Sequence, residues 1–126
     1  MHVALVVPDR ELWSGQARTV IAKTTEGDIG VLTGHAPVFG ILAEGSLAQI
    51  LTEDSEVRVA VSGGFLSVAD DRVSILAAQA QLGGEVDVEE ARQELAAALA
   101  EAVPGTEDSP AVRYAKARLR AAGDQA

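Results

Sequence analysis

The chain has 126 residues, 10 Lys and Arg against 19 Asp and Glu, a net charge of −9 and no cysteine. That length supports one domain with an appendage rather than two full cores. The missing cysteine excludes disulfides and thiolate zinc sites, and the acidic balance argues against nucleic acid or an anionic lipid surface, which both demand clustered Lys and Arg.

Apolar residues make up 48% of the chain and aromatic residues 3%, so the core must come from Val, Ile, Leu and Ala. No apolar run approaches the ~18 residues of a membrane span, and no charged region precedes an apolar one at the N-terminus. A soluble chain is expected, peripheral to a membrane only through a partner.

His2 to Val7 reads as a strand closed by the turn pair Pro8-Asp9. Glu11 to Gly15 reads as a compact link, with Trp13 packing at the edge of the fold. Gln16 to Thr25 alternates and is rich in Thr, Val and Ile, a strand pattern. The densest signal follows: Gly27-Asp28-Ile29-Gly30-Val31-Leu32-Thr33-Gly34-His35-Ala36-Pro37. Glycine at 27, 30 and 34 allows positive φ or close backbone approach. Pro37 lacks a ladder donor, so a central strand cannot run through it. The segment predicts a short strand between two bends, exposing Asp28 and His35 at the corners.

Val38 to Leu42 is apolar, Ser46 to Leu51 predicts a strand, and Thr52 to Ser55 a polar turn. Val57, Val59 and Val61 alternate with Arg58 and Ala60, the mark of a half-buried strand. Gly63-Gly64 bends the chain into a strand from Phe65 to Val68, and Ala69 to Arg72 turns it into a return strand from Val73 to Ala78. Strand signals at this spacing predict an antiparallel β-sandwich or barrel, ending near Gly83-Gly84.

From Glu85 onward β-branched residues nearly vanish and alanine dominates. Asp87 is placed as an N-cap, and Glu90 completes a capping-box pattern. Val88, Ala91, Leu95, Ala98, Leu99 and Ala102 mark one helical stripe, stopped by Val103-Pro104-Gly105. Ser109-Pro110 restarts a helix as N-cap and first residue. Val112, Ala115, Leu119 and Ala122 carry its stripe to Gly123. The short link makes the pair an antiparallel hairpin. The predicted organisation is a sandwich over residues 1–84 and a helix-loop-helix over 85–126.

Residues 85–108 carry eight acids and one base, while 111–122 carry Arg113, Lys116, Arg118 and Arg120 and no acid. One reading is attraction between neighbouring helices, helped by the helix dipoles. The other is that the basic helix detaches and meets an acidic surface elsewhere. Alanine stripes favour the second, because burying alanine removes little apolar area at ~25 cal/mol per Å².

Catalytic patterns are missing. His2 and His35 are the two histidines, too few for a three-histidine metal site. There is no nucleophile elbow, Walker loop or dinucleotide fingerprint, and the glycines at 27, 30 and 34 lack the Lys-Ser/Thr of a phosphate loop. Asp70-Asp71 reads as a solvated turn. A protein acting by contact, with no metal and no cofactor, is the expectation. The competing reading is a free-standing ligand-binding sandwich with a helical dimerisation element, though no aromatic platform or polar cluster supports a ligand.

Trp13-Ser14-Gly15, the glycine segment through Pro37, Ser62-Gly63-Gly64-Phe65-Leu66 and the strand ending at Leu76-Ala77 resemble, in order and spacing, the epsilon subunit of bacterial ATP synthase. The resemblance covers essentially the whole chain. It implies a non-catalytic rotor subunit whose sandwich binds the gamma subunit and rests on the c-subunit ring, at the cytoplasmic face of the membrane. By motif match it implies that Asp28 and His35 sit at the end that meets the c ring and gamma. It further implies a C-terminal hairpin that folds on the sandwich, or extends into the alpha/beta catalytic head and restrains ATP hydrolysis. Arg113, Lys116, Arg118 and Arg120 then suit an acidic segment of the beta subunit. Members that bind ATP carry I/L-D-x-x-R-A at the first helix start. This chain has Val86-Asp87-Val88-Glu89-Glu90-Ala91, with Glu90 where the arginine would be. A carboxylate there repels phosphate, and weak or absent ATP binding is predicted.

Overall fold

Alternation at the strand period of two dominates the first two thirds of the chain. A computed structural model, describing residues 1–101 and 109–123, shows what that alternation builds. The strands are β1 (His2–Val7), β2 (Arg10–Gln16), β3 (Thr19–Thr24), β4 (Gly27–Leu32), β5 (Val38–Ile41), β6 (Ser46–Leu51), β7 (Glu56–Ser62), β8 (Phe65–Ala69), β9 (Arg72–Leu76) and β10 (Gln79–Leu82). A 3-10 turn, Gly83–Glu85, leads to α1 (Val88–Ala100) and then α2 (Pro110–Ala121).

The strands form two five-stranded sheets, ordered β2-β1-β9-β8-β5 and β10-β7-β6-β3-β4. Strand pairing is antiparallel except between β1 and β9, which run parallel. The inward residues of both sheets make one aliphatic core. Leu5 stands opposite Ile75 and Ile75 opposite Leu66 across three neighbouring strands, all fully buried. The β8–β9 connection is a two-residue turn with φ of 51° at Asp70 and 60° at Asp71, the geometry that matches strand twist and that Asp tolerates.

Helix α2 lies on the outer face of the second sheet. Ala117 and Ala121 of α2 pack against Ala60 of β7, with Leu47 and Tyr114 at the margin. Ala60, which alternation assigns to solvent, is therefore 0% exposed. α1 packs on α2 in the antiparallel sense: Arg118, late in α2, meets Glu90 and Glu94 at the start of α1. α2 is thus covered on two sides, with Val112, Ala115, Ala117, Arg118, Leu119 and Ala121 all buried.

Several local expectations change. Glu11 to Gly15 is part of edge strand β2, not a link. Trp13 lays its ring over Gly15, where a Cβ would stand 3.1 Å from the indole, so the glycine serves side-chain packing within a strand. The strand expected from Gln16 begins at Thr19, because Ala17 N–H bonds the Met1 carbonyl and Arg18 N–H the Leu51 carbonyl before β3 begins. The return strand expected to Ala78 ends at Leu76. The chain then crosses to the other sheet as β10, pairing with β7. Gly30 sits in β4 with open space around its would-be Cβ, so neither reason offered for that glycine applies.

Asp87 caps α1 by accepting from Glu90 N–H at 3.0 Å, and Ser109 caps α2 by accepting from Val112 N–H at 3.3 Å. The reciprocal half of the capping box is replaced, since the Glu90 carboxylate faces Arg118 at 3.8 Å. Leu99, expected on the buried stripe, is 40% exposed. Ala102 and the Val103-Pro104-Gly105 stop lie outside the described residues.

Candidate functional site

Two regions carry polar groups that the core does not explain. The first is the glycine segment. Gly27 (φ 126°) and Gly34 (φ 84°) take the left-handed backbone at either end of β4, the conformation glycine adopts at no steric cost. Asp28 is exposed at the start of β4, across from Lys23 of β3. His35 is half-buried beyond the other end. Its N–H bonds the Leu32 carbonyl at 3.0 Å, and its Nδ1 lies 2.6 Å from the Ala36 carbonyl oxygen. About 3.3 Å of rise per strand residue separates them. The structure therefore puts Asp28 and His35 at opposite ends of β4, not at one end. Asp71, expected to be merely solvated, accepts from Gly34 N–H at 2.9 Å and holds the His35 corner.

The second region is the seat of α2. Its two ends rest on two glycines, where backbone meets backbone. A Cβ on Gly45 would overlap the Arg113–Tyr114 backbone, and a Cβ on Gly83 would overlap the Ala121 carbonyl. Between these points the contact is Ala60, Ala117 and Ala121 with the edges of Leu47 and Tyr114. Close approach here is gained by small residues, so the buried apolar area is modest.

The four cations of α2 divide. Arg118 is 6% exposed. Its Nε donates to Gln81 Oε1 of β10 at 2.7 Å, one terminal nitrogen donates to Glu94, and the other lies 3.8 Å from Glu90. Those carboxylates sit at the rim, with side chains 58% and 52% exposed. Arg113 pairs with Glu44 at 3.6 Å. Lys116 and Arg120 line an open groove of about 1050 Å³ beside α2, together with Ile21, Lys23 and Asp28. The structure thus gathers Asp28 with part of the basic helix and turns Arg118 away from it.

Tyr114 is the single tyrosine of the chain. Burial pushes its phenol above the ordinary value near 10; Arg118 draws it back and Glu94 raises it further. The docked hairpin therefore favours the neutral phenol. Its contribution to docking is present below pH 10 and is lost as pH rises through the raised value. Alkaline titration followed by tyrosinate absorbance is expected to show a later midpoint for the full chain than after α2 is released. A midpoint unchanged on release would remove this coupling.

Sequence reasoning missed Gln81, Gly45 and Gly83 as parts of the hairpin seat. The spacing of Glu90 and Glu94, four apart on one helical face, was the available signal for the pair that holds Arg118. It also left unremarked the exposed Leu32, Phe39 and Ile41, 61%, 62% and 49% accessible. The Phe39 ring lies 5.0 Å from that of Phe65, across β5 and β8. Among the described residues no cluster of three His, Cys, Asp or Glu is placed to hold a metal, and no described helix is long and apolar enough to cross a membrane.

Comparison with known proteins adds relatives to this geometry. Residues 1–83 match the profile of the family described as ATP synthase, Delta/Epsilon chain, beta-sandwich domain. The chain is 52% identical over 125 residues to the ATP synthase epsilon chain of Thermobifida fusca, covering 97% of this chain and 91% of that protein. It is 49% identical over 122 residues to the ATP synthase epsilon chain of Rhodococcus opacus, covering 96% and 94%. It is 47% identical over 121 residues to that of Streptomyces griseus, with the same coverage. A chain in the Euglena gracilis mitochondrial ATP synthase, OSCP/F1/c-ring, superposes with a TM-score of 0.73 at 24% identity, covering 95% of this chain and 79% of that one. One in the Tetrahymena thermophila mitochondrial ATP synthase central stalk/c-ring gives 0.57 at 18%, covering 72% and 69%. These two likenesses speak for a shared fold.

Proposed function

This chain belongs to the ATP synthase delta/epsilon family, and from that premise we propose that it works as a non-catalytic subunit of the central stalk, coupling proton flow to ATP synthesis. As part of ATP synthase it belongs to a membrane-associated complex. Its place there is peripheral, at the cytoplasmic face, held by partners rather than by a span of its own.

The sandwich, residues 1–84, is the part that binds gamma and the c ring. Exposed Leu32, Phe39 and Ile41 supply apolar surface of the kind a protein partner covers. Asp28 and His35, at the two ends of β4, serve as separate polar contacts, one for each partner. The glycine backbone at Gly27 and Gly34 and the Asp71 bond to Gly34 N–H keep those ends fixed.

The hairpin, residues 85–126, is the regulatory part. One observation carries this reading: α2 rests on the sandwich through alanines and two glycines, a contact with little large apolar side-chain area. A helix so seated can leave without opening the main core, which is what a restraint on ATP hydrolysis through the alpha/beta head requires. Once released, Arg113, Lys116, Arg118 and Arg120 offer a basic face to an acidic segment of the beta subunit.

The test is ATP hydrolysis by the cognate catalytic head stripped of this subunit. Full-length chain is expected to bind and lower the rate. A chain ending at Gly84 is expected to bind and leave it unchanged. Equal rates with both would make the sandwich a coupling element alone.

ATP is not expected to be a ligand of the hairpin. Glu90 stands where the ATP-binding pattern has arginine, and it and Glu94 already face Arg118, so an entering phosphate meets two carboxylates. Calorimetry of the isolated chain with ATP should show no tight binding; a micromolar isotherm would overturn this.

A further inference from the structure

We infer that Arg118 is a latch shared between two acidic claimants: Glu90 and Glu94 hold it in the docked hairpin, and an acidic partner segment must displace them to reach it. The inference rests on the reading above, that the basic helix meets an acidic surface, and it specifies how access to that helix is regulated.

The geometry makes the two uses exclusive. Arg118 is 6% exposed, and its guanidinium nitrogens face Gln81, Glu94 and Glu90. These partners come from β10 and from α1, so one side chain ties α2 both to the second sheet and to the other helix. At that exposure, with three described partners around it, the docked guanidinium offers little to an external carboxylate. Lys116 and Arg120, by contrast, line the open groove and are accessible while the hairpin is docked. A partner therefore first meets Lys116 and Arg120, with Arg113 lining the same groove, and gains Arg118 only after release.

The burial is asymmetric, and that sets the sign of each substitution. The acids sit at the rim with more than half of each side chain in solvent, so they tolerate loss of the cation. Arg118 does not tolerate loss of the acids, because a buried charge without a counter-charge is the costly case, whereas an apolar side chain of similar length in its place is not.

The experiment uses the full chain. In E90Q/E94Q, amide exchange in α2 is expected to accelerate about tenfold or more, while amides of β9 keep their protection and report an intact sandwich. The same variant should bind a synthetic helical peptide rich in Glu and Ala about tenfold more tightly than the unaltered chain. E85Q/E101Q makes the same change in net charge away from Arg118 and is expected to do neither. Adding R118M to E90Q/E94Q should restore α2 protection and abolish the gain in peptide affinity.

Unchanged exchange in E90Q/E94Q overturns the latch, as does an equal peptide gain in E85Q/E101Q, or failure of R118M to restore protection. Hydrolysis by the catalytic head is read separately. A hairpin released in E90Q/E94Q that leaves hydrolysis unaffected at every concentration sinks the braking function and leaves the latch standing.

Discussion

Replacing Gly83 by alanine is expected to expel α2 from the sandwich while leaving the sandwich folded. The added Cβ would collide with the Ala121 carbonyl, which is backbone and cannot rotate away, while its next neighbour, the Arg58 carbonyl oxygen, stands at 3.3 Å. Gly83 does not take a positive φ, so alanine adds no backbone strain of its own and the cost falls on the helix contact. Overpacking of this kind costs roughly 1–3 kcal/mol, about fivefold to 150-fold in the ratio of docked to released hairpin. Trypsin cleavage after Lys116 and Arg120, with hydrogen exchange in α2, measures the release. Protection equal to that of the unaltered chain would mean that the seat tolerates a wider gap and that Gly83 is not the contact that sets it. Gly45 is the counterpart at the other end of α2, but its φ of 62° would mix local strain with the steric effect, so Gly83 is the cleaner test.

The opposite case is Ile75→Ala, which should destabilise the sandwich itself. Ile75 lies on β9, between β1 and β8, flanked by Leu5 and Leu66, with no exposed surface. Truncating a fully buried isoleucine typically costs about 2–5 kcal/mol, because the surrounding strands cannot close over the cavity. Against a total stability of about 5–15 kcal/mol for a domain, that is a large share. Trp13, the single tryptophan, is partly buried against the same core and follows unfolding in denaturant. A midpoint unchanged from the parent would show that the aliphatic core repacks freely. The two substitutions separate the two units: one frees the hairpin and spares the sandwich, the other weakens the sandwich.

Much of this protein is determined by residues that are near one another in the chain. Period-two alternation marks β3 and β7, Asp70-Asp71 marks the β8–β9 turn, and Asp87, Ser109 and Pro110 mark where the helices begin. Those signals work because alternation, turn geometry and capping are local. The family was legible for the same reason, since its motifs sit in turns and corners whose backbone demands particular residues.

Tertiary structure alone decided what distant segments do to one another. β2 carries exposed polar residues and a glycine, so nothing local distinguished it from a link until β1 paired with it. β10 became a strand because β7 offered an edge. Ala60 is buried only because a helix from the far end of the chain lies on it. Gly45 and Gly83 have no room for a Cβ because α2 approaches them, a fact with no trace in their neighbours. Arg118 belongs by sequence to a set of four equivalent cations, and packing separates it from the others. Among the described residues its guanidinium faces Gln81, Glu90 and Glu94, while Lys116 and Arg120 stay at the open groove. Charge is written in the sequence, but which charges can be reached is set by what packs over them.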